Sequence, residues 1–224
     1  MTAAGAAGTV GANPHRAVVW LPLVLTLCVT AWVFWESQRL IRADFASLAA
    51  RQQVANWVDG SKKPQSASEW ERARDAIDRA LAIAPDDPAM HEVRGDVYAV
   101  AGSLRWFDAQ ERKAHFLQAI GSYRNSLQLR PTEPQTWAGL AAAYYGADDW
   151  GAQFQEAWAR ARALGPYEGH VQPMLMDLAL ATWPDVSPEM RKWVEDTFEA
   201  APESGKVEIN RIAARRGLVL SIAP

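Results

Sequence analysis

Two segments of the chain share a proline pattern that constrains the fold more than any other feature of the sequence. Residues 81–99 read LAIAPDDPAMHEVRGDVYA and residues 127–145 read LQLRPTEPQTWAGLAAAYY, so both carry prolines three positions apart. After each pair, similar positions recur at i, i+3, i+4 and i+7, the spacing of one helix face. A unit of helix, proline stop and second helix therefore repeats, which predicts an all-α architecture of stacked hairpins.

The composition of the chain argues against a nucleic-acid partner, a disulfide and a thiolate metal site. The chain has 224 residues, of which 49% are hydrophobic and 22% charged, and its net charge is −3. A nucleic-acid-binding surface needs a basic surplus, so we expect no nucleic-acid partner. The one cysteine, Cys28, excludes an intramolecular disulfide and leaves no thiolate cluster for a metal.

The N-terminal region contains a long uncharged run, AVVWLPLVLTLCVTAWVFW, at residues 17–35. At 1.5 Å per residue a helix of this length spans ~28 Å, close to the thickness of the bilayer core. A cleaved signal peptide is the alternative, but the run is long for an apolar region of that kind and is followed by bulky residues. The sequence therefore predicts a transmembrane helix at 17–35, preceded by a disordered tail at 1–16.

The rest of the chain reads as helices separated by polar turns. Residues 36–67 are predicted to form a juxtamembrane helix and a linker. Helix starts are indicated by the pairs Ser68–Glu71, Asp87–Pro88, Thr132–Gln135 and Ser187–Pro188.

Residues 69–181 resemble the tetratricopeptide repeat, whose first helix carries the pattern W-x2-L-G-x2-Y. Trp137, Leu140, Ala141 and Tyr144 fit this pattern, whereas His91 stands where the earlier unit should have tryptophan. The prolines at 85, 131 and 166 are 46 and 35 residues apart, against a family period of about 34. This predicts an insertion at 102–113, and residues 182–224 are predicted to form C-terminal capping helices.

The whole layout is similar to the VpsP-type accessory proteins of bacterial exopolysaccharide biosynthesis clusters. That resemblance implies a place beside polysaccharide polymerisation or export machinery at the bacterial inner membrane. Arg16 before the apolar run favours a cytoplasmic N-terminus, but Arg39, Arg42 and Arg51 behind it favour the opposite orientation. The prediction that the domain is periplasmic rests mainly on the resemblance.

Stacked hairpins of this kind form a curved surface whose concave side is lined by the first helix of each unit. The face opposite the packing stripe suits a peptide or a helix of a partner protein, although a solvated face is the alternative at each position. The candidate partner-binding residues are Glu92, Asp96, Gln135, Tyr145 and Asp177.

Two adjacent aromatic residues, Trp106 and Phe107, lie in the predicted insertion. They either fold back over the hairpin as a lid or form an anchor for a partner, because large aromatic side chains dominate binding hot spots.

Motifs for catalysis are not evident in the sequence. HEVRG at 91–95 begins like a zinc-protease motif but has Gly95 where the second histidine is needed. We therefore predict a membrane-anchored, non-enzymatic protein-binding scaffold with no catalytic residue, no metal and no cofactor. The alternatives are a glycan-binding or glycan-processing envelope protein, for which the 11 tryptophans are suggestive, and a self-assembling subunit of an envelope complex.

Overall fold

The computed structural model describes residues 14–183 and 185–218, and in these ranges the chain is helical with no strand. The chain divides into two units, residues 1–42 and residues 43–224. The all-α prediction is confirmed for the described residues. The helices are α1 (Pro14–Val58), α2 (Ala67–Ile83), α3 (Pro88–Ser103), α4 (Ala109–Leu129), α5 (Pro134–Gly146), α6 (Ala152–Leu164), α7 (Val171–Ala181), α8 (Pro188–Ala200) and α9 (Glu203–Arg215).

The predicted transmembrane segment at 17–35 is wrong. Within the described part of the chain, no helix is both long enough and apolar enough to cross a membrane. Helix α1 does not end where the uncharged run ends, but continues through Glu36, Arg39 and Arg42 to Val58 as one helix of 45 residues. Most of the predicted tail, residues 1–13, lies outside the described residues.

The helices of the second unit form two layers. Consecutive helices from α2 to α9 pack on one another, and α3, α5, α7 and α9 also contact each other in that order. The backbones of α2, α4, α6 and α8 do not approach one another in this way in the part of the chain that the structure describes, and these helices meet through side-chain pairs such as Arg124 with Gln153 and Trp158 with Trp193. The odd-numbered helices are therefore the inner layer of a curved stack, as the repeat pattern predicts.

The same hydrogen bond occurs in three successive hairpins. A side-chain nitrogen of the residue six positions after the helix-ending proline bonds to the carbonyl of that proline. Trp137 Nε1 donates to Pro131 O at 2.8 Å and Gln172 Nε2 to Pro166 O at 2.5 Å, while His91 Nε2 lies 2.8 Å from Pro85 O. We call this contact the proline clasp. It explains why histidine and glutamine can replace tryptophan, because the position needs an N–H donor more than an aromatic ring.

Two aromatic rings of α4 separate the inner helices α3 and α5 at glycine positions. A Cβ atom built on Gly95 would lie 2.5 Å from the Tyr123 ring, and one built on Gly139 would lie 2.9 Å from it. Two helical turns earlier in α4, the Phe116 ring lies against Gly102 and Gly146 in the same way. Cβ atoms built on these glycines would lie 2.7 and 2.5 Å from that ring. The glycines therefore admit rings that a larger residue would exclude, and this close approach sets the spacing of the inner layer.

The predicted insertion at 102–113 lengthens helices more than it lengthens a connector. Helices α3 and α4 have 16 and 21 residues, whereas α5 and α6 have 13 each. The connector between α3 and α4 is short because the Asp108 side chain and Glu111 form a reciprocal cap that starts α4 at once.

Helix caps agree with the sequence at two of four positions. Asp87 and Ser187 cap α3 and α8 as predicted. The predicted starts at Ser68 and Thr132 are wrong, because Ser66 caps α2 and the N-cap of α5 is Glu133, which makes no side-chain cap bond.

The C-terminal helices pack against α7, and α8 also contacts α6 where the Trp158 and Trp193 rings meet. Ile209 and Ile212 are buried and Leu218 is partly buried, as the apolar pattern of α9 suggests. Val207 of the same helix is 66% exposed.

Candidate functional site

Glu92 and Asp96 do not lie on a free concave face. They point into the junction of α3, α4 and α5. Arg130 Nη2 donates to Glu92 Oε2 at 2.5 Å, and the Tyr123 hydroxyl donates to Asp96 Oδ1 at 2.7 Å. Both carboxylates are therefore already engaged within the chain, and their first role is to hold neighbouring helices together.

Burial in this junction shifts the pKa of Asp96 strongly. Burial raises the pKa of Asp96 to about 7, the hydrogen bond from Tyr123 opposes this rise, and the nearby Glu92 adds to it. Burial also raises the pKa of Glu92, against the lowering effects of Thr136 and Arg130. The junction thus holds two carboxyl groups of which one changes protonation near neutral pH.

Gln135 and the aromatic pair of the insertion are placed separately. Gln135 is exposed in the first turn of α5. Phe107 packs at 5.8 Å from the Trp70 ring and 4.6 Å from the His115 ring, measured between centroids. Trp106 is 48% exposed. The pair therefore divides, with Phe107 covering the hairpin as the lid interpretation expects and Trp106 left at the surface.

Tyr145 and Asp177 are brought together by a residue that the site prediction omitted. Arg216, which follows α9, donates from Nε and Nη2 to the two Asp177 carboxylate oxygens at 3.3 and 2.6 Å. Its Nη1 lies 3.5 Å from the Tyr145 hydroxyl oxygen, and its guanidinium is 5.9 Å from the centre of the Tyr145 ring. One arginine thus links α5, α7 and the end of α9.

A second omitted residue, Trp150, completes this group. Its ring stacks on that of Tyr145 with centroids 5.9 Å apart and an angle of 18° between planes. The turn after α5 makes this stacking possible, because Asp148 adopts a left-handed conformation with φ 57° and the chain folds back. Trp150 remains 43% exposed. We call Tyr145, Trp150, Asp177 and Arg216 the aromatic–arginine platform.

The platform offers a contact surface that is apolar, planar and charged at once. Trp150 presents a large ring toward solvent, and Tyr145 supports that ring from below. Asp177 holds the Arg216 guanidinium in place, and the hydrogen bonds to this carboxylate raise the arginine's pKa, so that its charge is fixed. A rigid, pre-positioned surface of this kind loses little side-chain entropy when a ligand binds.

No grouping for metal binding is present in the described residues, in which no three side chains of His, Cys, Asp or Glu come together. The prediction of a chain without catalytic residue, metal or cofactor stays a prediction.

Comparison with known proteins identifies no family: no family model matches the chain, and no curated protein is similar to it. The tetratricopeptide and VpsP-type resemblances therefore remain predictions from the sequence. The structure supports the arrangement of repeated helical hairpins described above.

Proposed function

We propose that this chain is a non-enzymatic scaffold that binds a partner protein through the aromatic–arginine platform. The proposal rests on one observation: the partly exposed Trp150 ring stacks on Tyr145 beside Arg216. Tryptophan, tyrosine and arginine are the residue types that contribute most to protein–protein binding energy, and they contribute most when clustered and pre-organised. Here all three lie side by side at the junction of three helices.

The surroundings of the platform indicate what kind of partner segment would fit. The inner helices α5 and α7 are adjacent, so an extended or helical segment can lie across them. An apolar or aromatic side chain of the partner would cover Trp150. A polar acceptor would approach the edge of Arg216 that Asp177 does not occupy.

The cellular setting of the proposal comes from the resemblance alone. The VpsP-type layout suggests partners among the proteins of bacterial exopolysaccharide biosynthesis or export, with the domain in the envelope at the inner membrane. A glycan is the other ligand class that an exposed tryptophan could accept, because sugar rings stack on indole faces. Self-assembly of the chain is the third alternative, and the same experiment separates all three.

Site-directed photo-crosslinking in the native host tests the proposal. A photoreactive amino acid replaces Trp150 in the full-length chain, and a matched position, Lys192, serves as control because it is exposed and its ion-pair partner among the described residues, Asp196, is on its own helix. We expect a discrete heterologous protein adduct from position 150 and none from position 192.

The identity of the adduct at position 150 distinguishes a partner protein from self-assembly and from glycan binding. An adduct with a second copy of this chain would indicate self-assembly. A glycan adduct would support the glycan-binding alternative. The same adducts at both positions, or none at position 150, would contradict a binding role for the platform. The Trp150→Ala variant should lose the partner with only a small fall in melting temperature, since the residue is nearly half exposed.

A further inference from the structure

A second site lies on the opposite layer of the stack, in a cavity between α4, α5 and α6. The cavity has a volume of about 330 Å³. This is at the lower end of the range of small-molecule pockets, which is roughly 300–1,000 Å³. Its walls include Arg124 and Leu127 from α4, Trp137 and Leu140 from α5, and Gln153 from α6. The platform residues do not line it, so this cavity is independent of the proposed protein-binding surface.

The positively charged side chain in this cavity, Arg124, forms its hydrogen bonds with neutral groups. Arg124 Nη2 donates to the Tyr144 hydroxyl and, at 2.8 Å, to Gln153 Oε1. The Tyr144 hydroxyl in turn donates to the same Gln153 oxygen at 2.8 Å. The arginine is therefore fixed in position while its positive charge is not neutralised.

Other arginines of the same stack differ from Arg124 in this respect. Arg94, Arg130 and Arg216 each form an ion pair with a carboxylate. Among the described residues, no carboxylate lies within ion-pair distance of Arg124, and its Nε and Nη1 have no acceptor. Arg124 is exposed, so a ligand in the cavity can reach its free N–H groups, and an anionic ligand forms charge-assisted hydrogen bonds with them.

The floor of the cavity is apolar, and the polar residues Gln128 and Glu156 also line it. Leu127 and Leu140 are buried at its floor, and the Trp137 ring is held in place by the proline clasp. A ligand that fills the cavity therefore needs an apolar body next to its anionic group. Glu156 lies at the rim, where its ion-pair partner among the described residues is Arg160 at 4.0 Å on the same helix. Its negative charge opposes the binding of an anion.

From this geometry we infer that the cavity binds a small organic acid, with a carboxylate on Arg124 and an aliphatic or aromatic body over Leu127, Leu140 and Trp137. The chain would then carry a small-molecule site in addition to its protein-binding platform. The carboxylate replaces water on the free Arg124 N–H groups, and no covalent step is involved.

Titration of the full-length chain with matched acid and amide probes tests this inference. The probes are 4-methylpentanoate and benzoate, with 4-methylpentanamide and benzamide as neutral controls of the same shape. Binding is followed by calorimetry and by the NMR signal of the Trp137 indole N–H, which the Trp137→Phe variant assigns. We expect both acids to shift this signal at millimolar concentrations and both amides to leave it unchanged.

Two variants with opposite expected effects give the inference a sharp test. Arg124→Gln removes the charge and should weaken acid binding roughly 10- to 100-fold, the usual effect of losing a hydrogen bond to a charged group. Glu156→Gln removes a competing negative charge from an exposed position and should tighten binding. Thermal unfolding of both variants verifies that they fold, and Arg211→Gln, at a residue that pairs with Glu208 on α9, is the control for loss of a charge outside the cavity.

Several results would overturn the inference. Equal binding of acids and amides would show that the site does not recognise an anion. Equal affinity of the Arg124→Gln variant and the unaltered chain would place any binding elsewhere. Failure of both acids to bind the unaltered chain would show that the cavity has no such ligand class.

Discussion

The contact between Gly95 and the Tyr123 ring makes a sharp prediction about stability. Alanine at position 95 would place its Cβ atom 2.5 Å from Tyr123 Cε1, well inside the van der Waals distance of two carbon atoms. Tyr123 cannot turn away freely, because its hydroxyl donates to Asp96 and its ring also lies against Gly139. The Gly95→Ala substitution must therefore move a helix or break the hydrogen bond.

The magnitude follows from three terms. Overpacking of a core by one methyl group costs about 1–3 kcal/mol. A broken hydrogen bond that leaves the buried Asp96 carboxylate without its partner adds about 1–3 kcal/mol. Alanine in place of glycine in a helix returns about 1 kcal/mol. We expect a net loss of about 3 kcal/mol in the free energy of unfolding.

Gly121 provides a matched control within α4. A Cβ atom on Gly121 would meet nothing within 4 Å, and the position is exposed. Gly121→Ala should therefore raise the free energy of unfolding by about 0.5–1 kcal/mol from helix propensity alone. The two variants should differ by about 4 kcal/mol in urea unfolding, which is roughly 8–16 °C in melting temperature for a chain of this size.

The outcome that refutes the reasoning is a Gly95→Ala variant as stable as Gly121→Ala. A double-mutant cycle with Tyr123→Leu locates the cause. If the ring is the obstacle, Gly95→Ala should cost much less in the Tyr123→Leu background, with a coupling energy of at least about 1 kcal/mol. Additive effects would show that the alanine disturbs something other than Tyr123.

Three further predictions concern named contacts. The pKa of Asp96 is raised from 3.8 to about 7, so its burial should cost little stability below about pH 4 and about 4 kcal/mol above pH 7. Asp96→Asn should flatten this fall of stability in urea unfolding between about pH 4 and about pH 7, and an unchanged slope would contradict it. Trp137→Phe removes the N–H donor of the proline clasp but keeps most of the ring, so it should lower the free energy of unfolding by about 1 kcal/mol, whereas no loss would show that the bond to Pro131 is not stabilising. Trp106→Ala should leave the melting temperature unchanged and Phe107→Ala should lower it, because only Phe107 packs against Trp70 and His115; equal effects would refute the division of this pair.

The repeat was predictable from the sequence because prolines and helical spacing are local signals. Pro85, Pro131 and Pro166 mark the hairpins in the structure as they do in the sequence, and the caps at Asp87 and Ser187 follow from residues next to them. The start of α2 was misplaced because two serines compete, and Ser66 is favoured when Glu69 Oε2 accepts the backbone N–H of Gln65.

The candidate site was only partly predictable, because its contacts join distant parts of the chain. Spacing identified Tyr145 and Asp177, but Arg216 lies 39 residues from Asp177 and 71 residues from Tyr145 in the sequence. Spacing also placed Glu92 and Asp96 on an outward face. It could not show that Arg130 and Tyr123 of the next helix would reach those carboxylates.

The proline clasp also determines where this protein can change length. Each clasp fixes the turn that joins two helices of a hairpin. Additional helical turns can therefore be added only at the opposite ends of those helices, as in the longer helices α3 and α4, which meet at residues 104–108. Residues can therefore be inserted or deleted at that end of the helices without altering the register of the stack. A protein engineer could attach a reporter domain in the same place, with the proline turns left untouched.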